Sequence, residues 1–386
     1  AAAGIKYQNR DDEMLLCADE GSSTAWVFTR SATASAAVDF SRQALATGKA
    51  CAVLTNSGNA NAFTGQKGTA SVLRYRQELA DQLGCAAEHI MVASTGVIGE
   101  VLEADKMTGC YDRLCAALGQ SSWQEAAHSI CTTDTFAKGA TAKLDINGVE
   151  VTINGIAKGS GMIAPDMATM LGYIATDAAI SETCLQQMLQ QATATSFNAI
   201  TVDSDTSTSD SVYLFASHKA GHALIDDIDS AEAQRFLDAL TEVMTDLAIQ
   251  IVRDGEGASK LITIDVSSAR DDEDARRIAL SIGNSPLVKT AIAGEDANWG
   301  RIVMAVGKSG AAVDRDMLAI SIGGIVIARN GEAVEGYDEA PVARHMKGDN
   351  IHIAVDIGAE EQGGSARIYS CDLTHGYISI NADYRS

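Results

Sequence analysis

The feature that most constrains this chain is the stretch KGSGMIAPDMATML, which occupies residues 158–171. Apolar runs typical of strands lie on both sides of it, VEVTINGIAK at 149–158 and MLGYIATDAAI at 170–180. The glycines of the stretch and Pro165 disfavour a continuous helix between those runs. The pattern therefore predicts two strands joined by an irregular connection. A turn is also expected at Asn154-Gly155.

Thr169 lies within this connection, directly after Ala168 and between two methionines. A threonine hydroxyl is a weak nucleophile at neutral pH, and the free α-amino group of the same residue is one base that can activate it. That amino group is freed only when the peptide bond between Ala168 and Thr169 is cut. We therefore interpret this bond as a site of self-cleavage, while an ordinary apolar helical turn is an alternative that this stretch alone leaves open.

The composition indicates a folded protein with a substantial core. The 386-residue chain is 46% hydrophobic and 21% charged, and its net charge of −22 disfavours binding to nucleic acid. We find no apolar run of the roughly 18–20 residues that a membrane span requires. The eight cysteines include no CxxC pair and lie mostly in apolar surroundings, so we interpret them as buried, reduced thiols of a reducing compartment.

The hydrophobic pattern mixes strands with helices. Short apolar runs between residues 13 and 60, among them ASAAVDF at 34–40, are typical of strands or short buried segments. Helical spacing appears at residues 69–84, 181–197 and 230–252. Gly84 is the expected stop of the first of these helices, and Ser181 is the expected N-cap of the second.

The order of elements changes near residue 270, where helix, loop and strand begin to alternate. This change predicts a main domain of residues 1–270, which contains the candidate nucleophile. A smaller C-terminal lobe of residues 271–386 is predicted to follow it.

Other polar candidates lie next to glycine. HIMVASTGVIGE (89–100) is typical of a strand that ends in Thr95-Gly96, where a hydroxyl and an N–H can point together as an oxyanion requires. A plain turn explains that pattern equally well. SICTTDTFAKGATAKL (129–144) predicts a strand with clustered threonines, among them Thr132.

Two charged residues complete the candidates. Glu256 stands between two glycines, which leaves its carboxylate accessible, and it can pair with an ammonium group. Lys158 can pair with a carboxylate as a point charge. For both residues, a surface ion pair of small energy is the alternative.

Three stretches resemble cofactor or metal motifs, but each lacks a required feature. GSGMIA (159–164) matches a loose dinucleotide fingerprint, but Pro165 disfavours the helix that this fingerprint requires. GKSG (307–310) lacks the upstream glycine of a phosphate loop, and DSDTSTSD (203–210) lacks the glycine and the glutamate of a calcium loop. We therefore expect neither a cofactor nor a metal.

Taken in order, several motifs resemble those of the ornithine acetyltransferase family, also called glutamate N-acetyltransferase or ArgJ. The resemblance covers essentially the whole chain. It rests on the shared order of the motifs more than on any single motif. The motifs are NSGNANAFTG (56–65), VASTGVIG (92–99), TTDT (132–135), KGSGMIAPDMATML (158–171), ITVDSDTSTSDS (200–211), DGEGASK (254–260), SPLVKTAIAGEDANWGRI (285–302) and CDLTHGYISINADYRS (371–386).

This resemblance implies a fold and a maturation step. The implied fold is α/β (α+β), a layered α-β-β-α sandwich of two stacked sheets between helical layers, with a smaller C-terminal lobe. The precursor is expected to cut itself between Ala168 and Thr169. The products would be an α chain of residues 1–168 and a β chain of residues 169–386.

The resemblance also implies roles for individual residues. Thr169 would carry the acetyl group with its own α-amino group as the base, while Thr95 and Gly96 would form the oxyanion hole. The implied substrate contacts are Thr132, Lys158, Thr169, Glu256, Asn381 and Ser386.

The implied activity is acetyl transfer from N2-acetylornithine to glutamate in arginine biosynthesis, through an acetyl-Thr169 intermediate and with ping-pong kinetics. Some family members are multifunctional and also use acetyl-CoA as donor, and no residue here decides that point. The expected partners are these small molecules and the cleaved α and β chains in an α2β2 heterotetramer, with neither nucleic acid nor membrane. The expected location is the cytoplasm, or the mitochondrial matrix in a fungus or alga.

Two positions depart from the family pattern. Ser386 stands where the family often has Thr, so the hydroxyl is retained. Asp166 stands where the family often has Asn, three residues before the candidate nucleophile, and a carboxylate there can slow or tune self-cleavage.

Two other functions fit parts of the pattern. An N-terminal-nucleophile aminopeptidase would cut itself in the same way and would use water in place of glutamate. An uncleaved binding protein for small amino acids would remain a single full-length chain and would transfer no acetyl group.

Overall fold

The structure is a computed structural model that describes residues 1–45, 50–164, 170–358 and 363–382. Its strands and helices account for most of these residues. None of the helices within these ranges has an apolar stretch long enough to cross a membrane.

The strands are, in chain order, β1 Glu13–Cys17, β2 Ser23–Phe28, β3 Ala52–Asn59, β4 Ile90–Val97, β5 Lys138–Ile146, β6 Val149–Lys158, β7 Leu171–Thr176, β8 Ile200–Thr201, β9 Ser211–Ala216, β10 Leu261–Ala269, β11 Ala319–Ile322, β12 Ile325–Arg329, β13 Glu332–Ala333, β14 Asn350–Asp356 and β15 Gly364–Cys371.

The α-helices are α1 Ala36–Leu45, α2 Gly65–Leu83, α3 Ala104–Thr108, α4 Tyr111–Ala117, α5 Trp123–Ser129, α6 Glu182–Thr195, α7 Ala231–Arg253, α8 Asp272–Gly283, α9 Pro286–Ala293, α10 Trp299–Gly307, α11 Glu339–Met346 and α12 His375–Asn381. Short 3-10 turns occur at Ala87–His89 and Phe197–Ala199.

Two predicted helix boundaries are confirmed. Gly84 follows α2 with a φ of 70°, and its N–H donates to the carbonyl of Ala80, which is the left-handed cap that glycine favours. The Ser181 hydroxyl accepts a hydrogen bond from the N–H of Cys184 at the start of α6.

The chain forms two compact units, which we describe separately. Unit 1 comprises Ala1–Asn198 and Thr206–Ile251, and unit 2 comprises Ala199–Asp205 and Val252–Ser386. The predicted main domain of residues 1–270 thus includes β10, which the structure groups with unit 2.

Unit 1 contains two sheets, one with the order β1-β3-β4 and the other with the order β2-β9-β7-β6-β5. Met91 and Val53 of the first sheet share an apolar core with Leu171 and Tyr173 of the second. The Tyr173 hydroxyl lies 2.7 Å from the Thr55 hydroxyl on β3. The two sheets are therefore the inner layers of a sandwich.

Helices cover the outer faces of both sheets. Val72 and Leu79 of α2 belong to one buried core with Leu54 of β3. On the other side, α7 approaches β6 so closely that a Cβ at Gly155 would lie 2.9 Å from Leu247 Cδ1. The predicted α-β-β-α sandwich is confirmed by this layering.

Unit 2 is built on one sheet with the order β13-β12-β11-β14-β10-β15-β8. Strand β10 runs parallel to β14 and antiparallel to β15. Its Ile262 and Ile264 share a buried core with Ile278 and Ile282 of α8. Because β10 and α8 share this core, a division at residue 270 would separate elements that pack together.

Two segments that were expected as strands differ in the structure. ASAAVDF, for which a strand or a short buried segment was expected, contributes to helix α1, because its alanines favour helix and Ala37 and Val38 are buried on one side. Residues 129–137 are not a strand, since β5 begins only at Lys138. The carboxylate of Asp134 accepts a hydrogen bond from the N–H of Thr132 and so favours a local turn there.

The expected turn at Asn154-Gly155 was also wrong. Both residues lie inside β6 and pair with β5, whereas the hairpin turn is at Asn147-Gly148, where φ is 54° and 86°. The cysteines are all free, but only four of them are buried. The expectation of buried thiols fails for the exposed Cys17 and for three partly exposed residues, Cys51, Cys85 and Cys115.

Candidate active site

The structure describes six of the predicted site residues. Unit 1 holds Thr95, Gly96, Thr132 and Lys158, and unit 2 holds Glu256 and Asn381. The predicted nucleophile and cleavage site, Thr169 and Ala168, lie outside the described residues, as do Asp166 and Ser386.

Thr95 and Gly96 lie near the carboxyl end of β4. The parallel neighbour β3 places Ser57 beside Thr95 and Gly58 beside Gly96. Gly96 has a φ of 130°, and a Cβ there would lie within 2.5 Å of the Asn59 nitrogen. Only glycine therefore fits at position 96, next to Thr95. Gly96 has no side chain of its own beside its backbone N–H.

Asparagines in the last part of β3 and in the loop after it support this strand end. The Asn56 amide donates to the Asn59 carbonyl at 2.8 Å, and the N–H of Asn61 donates to Asn59 Oδ1 at 2.7 Å. Asn59 Nδ2 donates to the carbonyl of Glu100 at 3.2 Å, beyond the end of β4. These side chains thus stabilise the loop and hold the segment that follows Gly96.

A hydroxyl ties this strand end to the segment that contains Thr132. Ser57, the register neighbour of Thr95, donates from its Oγ to the carbonyl of Ser129 at 2.8 Å. Ser129 is the last residue of α5 and lies three positions before Thr132. The hydrogen bond therefore links the end of the first sheet with the Thr132 segment.

Asp134 brings Thr132 and the end of β6 together. Its Oδ2 accepts from the N–H of Thr132 at 2.9 Å, and its Oδ1 accepts from the N–H of Gly159 at 2.7 Å. Lys138 Nζ also donates to Oδ1 at 2.7 Å. Gly159 directly follows Lys158. One carboxylate therefore holds the backbone of Thr132 and the backbone next to Lys158, and both residues are predicted substrate contacts.

The charges around Asp134 are buried. The side chains of Asp134 and Lys138 are both 0% exposed, and Lys158 is 8% exposed. Burial by itself would raise the pKa of Asp134, but the charges of Lys158 and Lys138 outweigh it and lower that pKa to about 2. The carboxylate is therefore ionised at neutral pH.

The residues after Lys158 are also held in place. Gly159 has a φ of 153°, and a Cβ there would lie 2.9 Å from Ile163 Cδ1. The Ser160 hydroxyl is buried and lies 2.7 Å from that of Thr133. The start of the KGSGMIAPDMATML stretch is thus joined to the TTDT motif by the hydrogen bond between Ser160 and Thr133 and by Asp134.

In unit 2 the structure brings Glu256 and Asn381 together. Asn381 Nδ2 donates to Glu256 Oε2 at 2.7 Å and to the carbonyl of Tyr377 at 3.1 Å. Gly257 has a φ of 72°, and a Cβ there would lie within 2.5 Å of the carbonyl carbon of Gly376. The Thr374 hydroxyl donates to the Gly257 carbonyl at 2.6 Å. A close backbone contact thus places α12 beside Glu256.

Sequence reasoning missed the role of Asp134. The motif TTDT drew attention to its threonines, and the acid among them was taken as part of an exposed strand. The two lysines whose charges keep Asp134 ionised come from different strands, β5 and β6, so the local sequence does not mark this residue. Among the residues that the structure describes, no group of three or more His, Cys, Asp or Glu side chains is arranged to hold a metal ion.

The protein has a two-sheet sandwich with hydroxyl, glycine and lysine groups at its strand ends. These features define its class as that of a layered α/β enzyme. Within that class, the chain belongs to the ArgJ family, whose model matches residues 1–386. The predicted family is thereby confirmed.

Known proteins of this family are similar over the full chain or over part of it. The arginine biosynthesis bifunctional protein ArgJ of Rhizobium meliloti (strain 1021) is 53% identical over 389 residues, which cover 100% of this chain and 94% of the relative. The solved structure of the bifunctional argJ protein from Bacillus halodurans is 41% identical, covers 53% of this chain and 95% of its own, and gives a TM-score of 0.51. A solved ornithine acetyltransferase from Mycobacterium tuberculosis, in complex with ornithine, is 34% identical, covers 44% of this chain and 90% of its own, and gives a TM-score of 0.37. The expectation of an arginine-biosynthesis enzyme is confirmed at the level of the family.

Proposed function

We propose that the chain transfers the acetyl group of N2-acetylornithine to the α-amino group of glutamate, through an ester on Thr169. The observation that carries the proposal is family membership over the whole chain, together with the convergence of Thr132 and the Lys158 segment on one buried carboxylate. Ornithine leaves in the first half-reaction, and N-acetylglutamate forms in the second. Two half-reactions with one covalent intermediate give ping-pong kinetics.

Maturation would precede turnover. The Thr169 hydroxyl attacks the Ala168 carbonyl, an N-to-O acyl shift gives an ester, and water hydrolyses that ester to free the amine of Thr169. The Bacillus halodurans structure supports this step, because 95% of that chain matches only 53% of this one. The solved chain is therefore little more than half as long as this one, as a β chain of residues 169–386 would be.

Thr95 and Gly96 would stabilise the oxyanion of each half-reaction. A hydroxyl and a backbone N–H that are fixed before the reaction can hold developing negative charge without reorganising. The close approach of β3 and β4 at Gly96 supports this role, since it excludes a side chain and fixes the backbone. The α-amino group of Thr169 would act as the base, because desolvation favours its neutral form.

Substrate recognition would use opposite charges. Lys158 would pair with the α-carboxylate that both substrates carry, next to Thr132. Glu256, supported by Asn381, would pair with the side-chain ammonium of ornithine. Ser386 would add a hydroxyl contact.

Three further assignments follow from the relatives. The name bifunctional that they carry supports a second activity with acetyl-CoA as the donor. Their bacterial sources favour the cytoplasm over the mitochondrial matrix. We also infer an α2β2 assembly of the cleaved chains, as the family resemblance implies.

The test is to follow the labelled acetyl group of N2-acetylornithine in the presence of glutamate. We expect N-acetylglutamate as the main labelled product. Labelled acetate as the main product would indicate the hydrolase, and unchanged substrate would indicate a binding protein.

A matched pair of variants tests the oxyanion hole. Thr95→Val removes the hydroxyl at nearly constant volume and is expected to lower kcat by about 10²–10³-fold. Thr95→Ser keeps the hydroxyl and should retain most of the rate. Equal rates in the two variants would contradict the role of that hydroxyl.

A further inference from the structure

Several cysteines lie close together in unit 1, away from the candidate active site. Cys51, Cys85 and Cys115 are half-buried and pack against the same apolar core, which lies between β3 and α2. The exposed Cys17 is their neighbour, because β1 and β3 pair Cys17 with Ala52, the residue that follows Cys51. Thiols are thus concentrated at the end of the first sheet where β3 begins.

Two of these thiols are in direct contact. The Sγ atom of Cys51 lies 3.3 Å from the Sγ atom of Cys85, and it lies 3.5 Å from the carbonyl oxygen of His89. A disulfide bond is about 2.05 Å long, so the two sulfurs need to approach each other by only about 1.3 Å to form one. The pair is therefore close to the geometry of a disulfide while both residues are thiols.

Ordered backbone fixes the position of each cysteine. The N–H of Cys51 donates to the carbonyl of His89 at 2.9 Å, directly before β3 begins. Cys85 directly follows Gly84, the left-handed cap of α2, and its N–H donates to the carbonyl of Ala80 at 3.0 Å. The contact between the two thiols is thus a consequence of where β3 begins and where α2 ends.

The environment of Cys51 favours the thiol in the resting protein. Burial and, next to it, the hydrogen bond with Cys85 raise the pKa of the Cys51 thiol to about 12. Cys51 is therefore protonated at neutral pH, and it reacts slowly because the thiolate is the nucleophilic form. The pair is expected to stay reduced in a reducing compartment and to change only when an oxidant persists.

We propose that Cys51 and Cys85 form a modification site, at which a small-molecule disulfide of the glutathione type converts the two thiols into one intramolecular disulfide. One cysteine of the pair, as its thiolate, attacks a sulfur of the reagent, which gives a mixed disulfide and releases one reagent thiolate. The other cysteine then attacks the protein sulfur of the mixed disulfide and expels the second reagent thiolate. The two protein thiols lose two electrons and two protons, and the reagent disulfide takes them up as two thiols.

The cross-link would constrain one part of unit 1 and leave the site unchanged. It joins residues that are 34 positions apart, and the closed loop contains β3 and α2. Ser57, the register neighbour of Thr95, lies six residues along the extended chain from Cys51, which is a distance of about 20 Å. We therefore expect a gain in stability without a change in acetyl transfer, and the proposal does not depend on the proposed function.

The experiment is oxidation of the folded wild-type protein in glutathione buffers that range from fully reduced to fully oxidised. Acid quenching and alkylation of the remaining thiols in denaturant follow. Peptide mapping without reduction should show a link between the peptides that contain Cys51 and Cys85, and dithiothreitol should return both thiols. Free Cys51 and Cys85 in the fully oxidised buffer, or glutathione that stays bound to either of them, would overturn the proposal.

Cys17→Ser is the matched control, because Cys17 is the exposed thiol beside the pair. The link between Cys51 and Cys85 should form in this variant as it does in the wild type. A wild-type link from Cys17 to either residue, lost in Cys17→Ser, would assign the oxidation to the exposed thiol and contradict the proposal.

Thermal unfolding tests the expected constraint. The oxidised wild type should unfold about 5 °C above the reduced protein, because the closed loop restricts the unfolded chain. Cys51→Ser, oxidised in the same way, should show no such shift. Equal midpoints for the oxidised and reduced wild type would contradict the constraint, and a loss of acetyl transfer on oxidation would contradict the separation from the site.

Discussion

The two units bring predicted substrate residues together by different physical means. In unit 1, the ionised carboxylate of Asp134 holds the backbone at Thr132 and at Gly159 beside Lys158. In unit 2, a close backbone approach at Gly257 places α12 so that Asn381 reaches Glu256. The first arrangement depends on charge, and the second depends on the absence of a side chain.

This difference determines how each region can fail. A buried charge network is costly to break because the remaining charges lose their partners, and it responds to pH. A steric contact is insensitive to pH but admits no larger residue. Variants that affect one property and leave the other intact therefore distinguish the two regions.

The largest effect is expected from Asp134→Asn. It removes the charge of Asp134 from its ion pair with the buried Lys138 and puts an amide group where an acceptor is needed, so the free energy of unfolding should fall by about 3–5 kcal/mol. Denaturant unfolding of the purified protein measures the change. The double variant Asp134→Asn/Lys138→Gln removes one of the two lysine charges and should recover part of the loss. A loss below about 1 kcal/mol in the single variant would show that the network contributes little.

The next largest effect is expected from Gly257→Ala. The new Cβ would overlap the backbone of α12, and the positive φ adds strain, so we expect a loss of about 2–4 kcal/mol. Gly310→Ala is the matched control, because Gly310 has a φ of 75° with nothing within 4 Å of its Cβ position. It should lose only about 1 kcal/mol. Denaturant unfolding measures both losses. Equal losses in the free energy of unfolding at the two positions would mean that the close approach at Gly257 does not add to the cost of the substitution.

A smaller effect separates the regions by pH. The pKa of Asp134 is about 2 in the folded protein and about 3.9 in an unfolded chain. Its contribution is therefore present above pH 4 and is lost as the pH falls towards 2, which amounts to roughly 2 kcal/mol. The difference in stability between wild type and Asp134→Asn should shrink over that range. The difference between wild type and Gly257→Ala should stay constant, and a parallel decline in both would contradict the distinction.

The smallest change in stability is expected from Asn381→Ala. Asn381 is exposed, so the free energy of unfolding should change by less than about 1 kcal/mol. The loss of its hydrogen bond to Glu256 should appear instead in KM for N2-acetylornithine, as an increase of up to about tenfold. KM for glutamate, which has no side-chain ammonium, serves as the internal control and should change less.

Local signals predicted individual elements well where they agree with tertiary packing, whereas the layers of the fold were implied by the family resemblance. The Ser181 cap, the Gly84 stop and strand β6 lie where the pattern placed them. ASAAVDF was left as a strand or a short buried segment because a short apolar run has no clear period, and helical propensity with one buried side decided its structure. The hairpin turn was assigned to Asn154-Gly155 when another Asn-Gly pair, at Asn147-Gly148, forms it.

Candidate site residues could be proposed from local sequence signals only where a polar residue stands next to glycine. Thr95-Gly96 and Glu256 are recognisable from the glycines beside them. Asp134 was missed as a charged group, because its ionised state depends on Lys138 and Lys158, which lie on two different strands. Such a balance of charges depends on the register between strands, which a single sequence does not contain.

The measurement that tests the central claim most directly is the intact mass of the purified protein under denaturing conditions. The account predicts two fragments with the junction between Ala168 and Thr169. Brief treatment with N2-acetylornithine should add one acetyl mass to the C-terminal fragment only. A single full-length species that persists after long incubation would leave Thr169 without its amine base and would contradict the account.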